Sequence, residues 1–324
     1  MPHALFDHAL ALAAALWIAL AVDRWLGEPP AGWHPVVWMG KYLGWVGSQV
    51  APRASQAKPL DLPVFFIGAL AWCVGALGTW CVAAGLQGLV MQWLPAWAMA
   101  LLLGLLLKSL FAWRMLRDEV LAVEAALGVS LDAGRAQLGR LVSRDVNLLD
   151  AREVRESAIE SLAENLNDSF VAPLFWFVLF GLPGAAAYRF ANTADAMWGY
   201  RGERGGRDWT WFGKWAARAD DLLSWLPARL TALLLALAAW QWPAGLAREA
   251  RRTPSPNSGW PMGAMALLLG VRLAKPGVYA LNGEGRAPSA ADVQRTAQLG
   301  GRAVLAWALC ASLVIVAAVG MRWA

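Results

Sequence analysis

The sequence predicts an all-α, polytopic membrane bundle of about six spans, and three observations carry that expectation. Of the 324 residues, 58% are hydrophobic and only 16% charged, against about 45–50% apolar and about 25% charged in an ordinary soluble domain. The apolar excess is gathered in runs of roughly 15–25 residues, the length that crosses a hydrocarbon core of roughly 30 Å. The 21 tryptophans flank many of these runs (Trp17, Trp25, Trp93, Trp97, Trp225, Trp242, Trp323), as interfacial belts do. Spans are predicted over 9–22, 63–86, 89–107, 170–187, 225–242 and 303–321. The whole of 1–324 reads as a single integral-membrane domain, with possible re-entrant segments.

Taken in order, the first run lacks a basic leader and a small-x-small cleavage site, so it reads as a retained span. The loop DRWLGEPPAGWHPVVWMG follows, and Pro35 holds His34 extended. Its ring is then free to meet a ligand, although a histidine that only hydrogen-bonds within its loop explains the pattern as well. Residues 51–61 read as a linker. Within 113–169, LRDEVLAVEAAL is an amphipathic helix with Leu116, Val120, Val123 and Leu127 on one face. Gly128 stops it, and Ser130 or Asp132 caps the next helix. Another helix starts after Asn147 and Asp150 and runs through AREVRESAIESLAEN. Residues 250–261, with three prolines and a glycine, read as irregular. The apolar run 262–273 is too short to span unaided and reads as re-entrant or interfacial. Cys73, Cys81 and Cys310 sit inside apolar runs as packing residues.

If the six spans alternate, segments 23–61, 113–169 and 244–302 share one side and hold 19 Lys or Arg. The opposite side holds seven, six of them in 189–224 plus Arg322. The positive-inside rule places the richer side in the cytoplasm. Segment 113–169 is then a largely cytoplasmic helical loop, and the chain a multi-pass protein of a bacterial inner membrane. The net charge of +5 is a matter of topology; no aromatic-interleaved basic stripe points to nucleic acid.

The polar residues that remain are concentrated at span ends. Glu153, Ser157, Glu160, Glu164 and Asp168 fall on one face of a helix by their spacing. A solvated acidic face explains Glu153 and Glu160 alone. Glu164 and Asp168 abut the apolar run at Phe170, where carboxylates and amides are the ligand type Mg²⁺ and phosphate prefer. Asn165-x-x-Asp168 recurs as Asn192-x-x-Asp195, so two helices carry the makings of a metal clasp. One such pair alone is a weak signal. Arg218, Asp220 and Asp221 precede a span, and Arg229 lies just inside it. An arginine there either snorkels or is received by the Asp220–Asp221 pair. The loop TPSPNSGWPMGA, with Ser255, Asn257 and Ser258, is either an anion-cradling nest or a plain turn. Walker, GxGxxG and HExxH patterns are absent.

These motifs together resemble a known family. DRWLGEPPAGWHPVVWMG, SRDVNLLDAREVRESAIESLAENLNDSFVAPLFWF, YRFANTADAMWGY, FGKWAARADDLLSWLPARLTALL, SPNSGWPMGAMALLLGVRL and YALNG follow one another as in the CobD/CbiB family of cobalamin biosynthesis. Its members are membrane-bound adenosylcobinamide-phosphate synthases, and the resemblance runs nearly end to end. Two departures are small: Ala274-Lys275-Pro276-Gly277 stands where Gly-Gly is frequent, and Ser143 where Gly is common.

The resemblance implies ATP-dependent ligation of adenosylcobyric acid to (R)-1-amino-2-propanol O-phosphate, or to ethanolamine phosphate, with Mg²⁺ and ATP required. It implies Glu164, Asp168 and Asp195 as metal ligands, with Asn165 and Asn192 beside them. Arg144, Arg218 and Arg229 would clamp phosphate or carboxylate. Glu160, Asp145, Asp220, Asp221, His34 and Asn257 form a second rank. Other cobalamin-biosynthesis enzymes are expected partners. Two other classes remain open: an intramembrane prenyltransferase using Mg²⁺-diphosphate, and a transporter or sensor without catalysis. Simple alternation sets Asn192–Asp195 opposite Glu164. Either the span between Pro173 and Pro183 is broken or re-entrant, or both pairs line a buried polar cavity.

Overall fold

The computed structural model describes residues 2–320; Arg322, Trp323 and the end of the 303–321 run lie outside the described residues. In chain order the helices are α1 (Pro2–Trp25), α2 (Pro35–Val50), α3 (Leu62–Trp93), α4 (Ala96–Lys108), α5 (Trp113–Leu127) and α6 (Leu131–Leu138). Then come α7 (Ala151–Leu166), a π-helical turn (Asn167–Val171), α8 (Ala172–Trp198), α9 (Lys214–Leu223) and α10 (Trp225–Ala239). The chain ends with α11 (Leu246–Ala250), α12 (Gly259–Leu269) and α13 (Ala290–Gly320). Two small antiparallel hairpins complete it: β1 (Glu203–Arg204) with β2 (Arg207–Asp208), and β3 (Leu273–Lys275) with β4 (Tyr279–Leu281). The all-α expectation holds.

Among the described residues five helices are long and apolar enough to cross a membrane: Asp7–Trp25, Leu62–Trp93, Ala96–Leu127, Ala151–Trp198 and Ala290–Ala318. The bent pair Lys214–Leu223 and Trp225–Ala239 makes a sixth if it is one broken span. The boundary predicted between 86 and 89 falls later. Helix α3 continues to Trp93, and the break comes at Leu94, whose extended backbone is what the following Pro95 demands.

The chain's contacts gather in two compact units. One comprises Met1–Phe111, Ala172–Leu223 and Ala311–Ala324; the other comprises Ala112–Val171 and Ser224–Cys310. In the first, α1 packs on α4, and α8 packs on α2, α3 and α9. Gly104 permits the α1–α4 approach, because a Cβ there would sit 2.8 Å from the Ala15 carbonyl and from Ile18. Helix α8 is broken at Gly181, whose φ of 68° lies in the region glycine favours. Pro183 contributes no N–H to the ladder. The Gln87 side chain of α3 repairs the break by accepting from the Leu182 N–H at 2.7 Å. The stretch between Pro173 and Pro183 is thus broken, at Gly181.

In the second unit, α5 buries Trp113, Leu116, Val120 and Val123 against α6 and α7, on the face its periodicity predicts. Gly128 ends α5, and Ser130 caps α6 by accepting from the Ala133 N–H. Asp150 caps α7 and forms a reciprocal box with Glu153. Helix α12 packs on α7, α10 and α11. It starts at Gly259, inside the segment expected to be irregular. Pro261 is tolerated there because the first helical turn has no intrahelical acceptor for its missing N–H.

Replacing Gln87 by Ala removes the acceptor at Leu182 and is expected to cost about 1–3 kcal/mol of stability. Gly181→Ala should cost a similar amount through its positive φ. Denaturant unfolding in detergent measures both, and wild-type stability in both variants contradicts this account of the break.

Candidate functional site

The acidic face of α7 is turned inward. Ser157 is 1% and Glu160 5% exposed, which rules out a solvated face at Glu160, whereas Glu153 stays partly exposed in the helix cap. Arg144, on the loop before α7, donates to Ser157 Oγ and lies 3.5 Å from Glu160 Oε2. Two residues that the sequence reading named separately thus lie side by side. Glu160 Oε1 and Arg144 Nε have no hydrogen-bond partner among the described residues, although both are buried. Such atoms carry a desolvation cost until something pairs with them.

The hairpin β3–β4 reaches the same cluster. Lys275, Pro276, Gly277 and Val278 form a turn in which the Val278 N–H donates to the Lys275 carbonyl. Proline second and Gly277 third, at φ 73°, fit a type II turn. The register pairs Lys275 with Tyr279, so both project from one face of the hairpin. Both act electrostatically on Glu160. Every 18-residue stretch through Glu160 holds at least three charged residues, so the apolar span begins after it. Burial pushes the Glu160 carboxyl up to about 7, against the opposing effects of Arg144 and the Tyr279 hydroxyl. Burial, then the charges of Glu160 and Glu164, raises the Tyr279 phenol far above its ordinary range. Tyr279 is thereby kept a donor.

The expected alignment of Glu164 and Asp168 assumed a continuous α-helix. Asp168 instead lies in the π-helical turn Asn167–Val171, which alters its angular position. Such turns are frequent at functional sites. Asn167, 2% exposed, donates to Asp168 Oδ1 at 2.7 Å and accepts from Thr231 Oγ1 of α10 at 3.1 Å. Asn165 donates to the Ser161 carbonyl. Asp145 accepts from the backbone and side-chain nitrogens of Asn147, which makes it the anchor of an exposed turn. Arg229 donates to Asn257 Oδ1 at 2.9 Å and to the Trp225 carbonyl at 2.8 Å. Its guanidinium also lies over the Trp225 and Trp260 rings at 4.4 and 4.7 Å. Asn257 and the two indoles thus take the role the sequence reading gave to Asp220–Asp221. The loop around Asn257 is closed as a nest, because Ser255 Oγ already accepts from the N–H groups of Asn257 and Ser258.

The other unit holds the remaining predicted residues. Asn192 on α8 donates to Asp220 Oδ1 on α9 at 3.4 Å and accepts from Arg189 at 3.3 Å. Asp195 lies one turn further along α8, and Arg218 and Arg201 act on Asp221. His34 Nε2 lies 3.2 Å from Glu28 Oε2, and Glu28 Oε1 accepts from Lys108 at 2.8 Å. Lys108, 2% exposed, also lies 3.2 Å from Asp23. Burial raises the Glu28 carboxyl, but His34 and Lys108 outweigh it and hold it below its ordinary value. This cluster closes the polar end of a cavity of about 950 Å³, lined mainly by apolar side chains that include Trp33, Trp38, Tyr42 and Phe190.

Among the described residues no three His, Cys, Asp or Glu side chains gather as a metal cage. Mg²⁺ does not require one, since it is usually held through one or two carboxylates, waters and substrate phosphates. Asp168, a carboxylate held by the Asn167 amide, fits that mode by chemistry.

The chain matches the family described as CobD/Cbib protein over residues 16–307. It belongs to the CobD/CbiB family. It is 40% identical over 298 residues to the "Probable cobalamin biosynthesis protein CobD" of Thermococcus kodakarensis, covering 92% of this chain and 94% of the relative. It is 38% identical over 323 residues to the "Cobalamin biosynthesis protein CobD" of Rhodobacter capsulatus, covering 94% and 98%. No solved structure gives a significant match.

In this CobD/CbiB chain, sequence reasoning missed Tyr279, Lys275, Asn167, Glu28 and Lys108 as members of the polar clusters. The Lys-Pro-Gly turn signal announces the hairpin that presents the first two. A lysine ending an apolar run announces Lys108, because a buried ammonium requires carboxylates. The protonation of Glu160 is directly testable. Its carboxyl infrared band should titrate near pH 7, present below and lost above, and be absent in Glu160→Gln. A band titrating in the ordinary range near 4.5 contradicts the burial argument.

Proposed function

We propose that this CobD/CbiB-family chain is an adenosylcobinamide-phosphate synthase acting in cobalamin biosynthesis at a bacterial cytoplasmic membrane. It joins the propionate carboxylate of adenosylcobyric acid to the amine of (R)-1-amino-2-propanol O-phosphate, or of ethanolamine phosphate, with ATP converted to ADP and phosphate. The observation that carries the reading is the buried Glu160–Arg144–Tyr279 cluster on the acidic helix. Amide formation needs a base for the ammonium proton, a cation facing the reacting carboxylate and a donor that stays protonated. A carboxyl that titrates near 7, a guanidinium and an unionised phenol meet those needs.

The carboxylate oxygen takes the terminal phosphoryl group of ATP, the amine nitrogen attacks the acyl carbon, and phosphate leaves with that oxygen. Glu160 accepts the proton the nitrogen loses. Bound Mg²⁺ would neutralise phosphate charge, and Asp168, with Glu164 and Asn167 beside it, would hold it. The names of the relatives support the pathway. The apolar cavity of about 950 Å³ suits a bulky, planar, amphipathic corrinoid by size and lining.

Purified protein given ATP, Mg²⁺ and both substrates should release ADP only when both are present. ADP release indifferent to either substrate refutes the ligase. Asp168→Asn and Asp195→Asn should each abolish turnover with membrane insertion intact; full activity removes that residue from the reaction. Gly78 lines the cavity, and a Cβ there meets nothing within 4 Å. Gly78→Phe should therefore raise the KM for the corrinoid roughly tenfold, about 1.4 kcal/mol of binding, and leave that for ATP unchanged. An unaltered corrinoid KM takes the corrinoid out of this cavity.

A further inference from the structure

We propose that the cleft between the first turns of α7 and the β3–β4 hairpin is a subsite for a small phosphate monoester that carries a primary amine at its other end. The cleft measures about 390 Å³ and presents Arg152, Arg272 and Lys275 together with Glu153, Glu156 and Tyr279. Of its side chains only Glu153 belongs to the acidic motif, and none belongs to the Asn-x-x-Asp pairs.

The two carboxylates are already engaged. Glu153 Oε2 accepts from the Asp150 N–H at 2.8 Å in the helix cap. Glu156, 1% exposed, accepts from the Ala274 N–H at 3.0 Å through Oε2. Its other oxygen lies 3.6 Å from Arg152 Nε, and neither atom has a hydrogen-bond partner among the described residues. Glu156 thus ties the hairpin strand to α7 and holds the Arg152 guanidinium at the cleft wall. Arg272 and Lys275 make no ion pair within 4 Å among the described residues. Three cations against two engaged carboxylates leave the cleft positive. A phosphate dianion supplies the acceptors that guanidinium forks and an ammonium bind well.

The amine follows from what adjoins the cleft. Tyr279 lines it and also faces Glu160 and Glu164, while Lys275 acts on Glu160 from the same face of the hairpin. A short molecule with its phosphate on Arg272, Lys275 and Arg152 directs its far end past Tyr279 toward the Glu160 and Glu164 carboxylates. That far end is best matched by an ammonium group. This assignment rests on the proposed ligation, for which it names the residues that hold the phosphorylated amine.

Direct binding separates the two claims, because it needs no turnover. Titration of detergent-purified full-length protein with aminopropanol phosphate, followed by ³¹P NMR, should show saturable binding. Aminopropanol without phosphate should bind far more weakly. Arg272→Gln should weaken binding roughly tenfold or more, as loss of a charge-assisted contact does. Lys275→Glu, at an exposed position that the fold tolerates, should do the same, and Lys275→Arg should restore most of it. A non-hydrolysable ATP analogue should not displace the ligand. The proposal is overturned if the Arg272 and Lys275 variants bind as wild type, if aminopropanol binds as well without its phosphate, or if the ATP analogue displaces the ligand from the cleft. Saturable binding without ADP release would leave the subsite standing and refute the ligase reading alone.

Discussion

A carboxylate removed from water remains costly until cations and hydroxyls are brought to it, and the surroundings of Glu160 are organised by that requirement. Arg144, held by Ser157, arrives from the loop ahead of α7, and Tyr279 from a hairpin more than a hundred residues later in the chain. The hairpin is itself fastened by a second buried carboxylate, since Glu156 accepts from the Ala274 N–H in β3. Two glutamates one helical turn apart thus divide the work. Glu156 fixes the strand in place, and Glu160 is left with an oxygen that has no hydrogen-bond partner among the described residues. The other unit meets the same requirement at the end of α4, where buried Lys108 is held by Asp23 and Glu28.

Irregular backbone accompanies these polar groups. The π-helical turn at Asn167–Val171 comes where the acidic helix gives way to apolar sequence, and it turns Asn167 toward Thr231. The break at Gly181 is stitched by Gln87, an amide set among apolar residues of α3. Backbone groups freed within an apolar run need such internal partners. Gln87 and Thr231 supply hydrogen bonds here that apolar residues of the same volume could not.

Much of this was legible in the sequence because it depends on local rules. Periodicity marked the buried face of α5, capping chemistry marked Ser130 and Asp150, and the prolines Pro173 and Pro183 pointed to a broken α8. Arg144 lies beside Glu160, Asn192 donates to Asp220, and Arg229 donates to Asn257, a partner other than the one its sequence context offered. What stayed hidden depends on distant pairing. Tyr279 and Lys275 carry no local sign of facing Glu160, because hairpin register decides it. Asn167 was passed over for Asn165 because spacing arguments assume α-helical rotation, which the π turn suspends. The two units interleave along the chain, so no composition shift announced them.

The central claim is that a carboxylate is activated by phosphoryl transfer and captured by an amine. It is tested most directly by the fate of carboxylate oxygen. Adenosylcobyric acid labelled with ¹⁸O in the reacting propionate carboxylate is turned over with ATP and aminopropanol phosphate, and the released phosphate is analysed by mass spectrometry. The account predicts one ¹⁸O in the orthophosphate for each amide bond formed. Orthophosphate free of label, or label recovered in AMP, would contradict it.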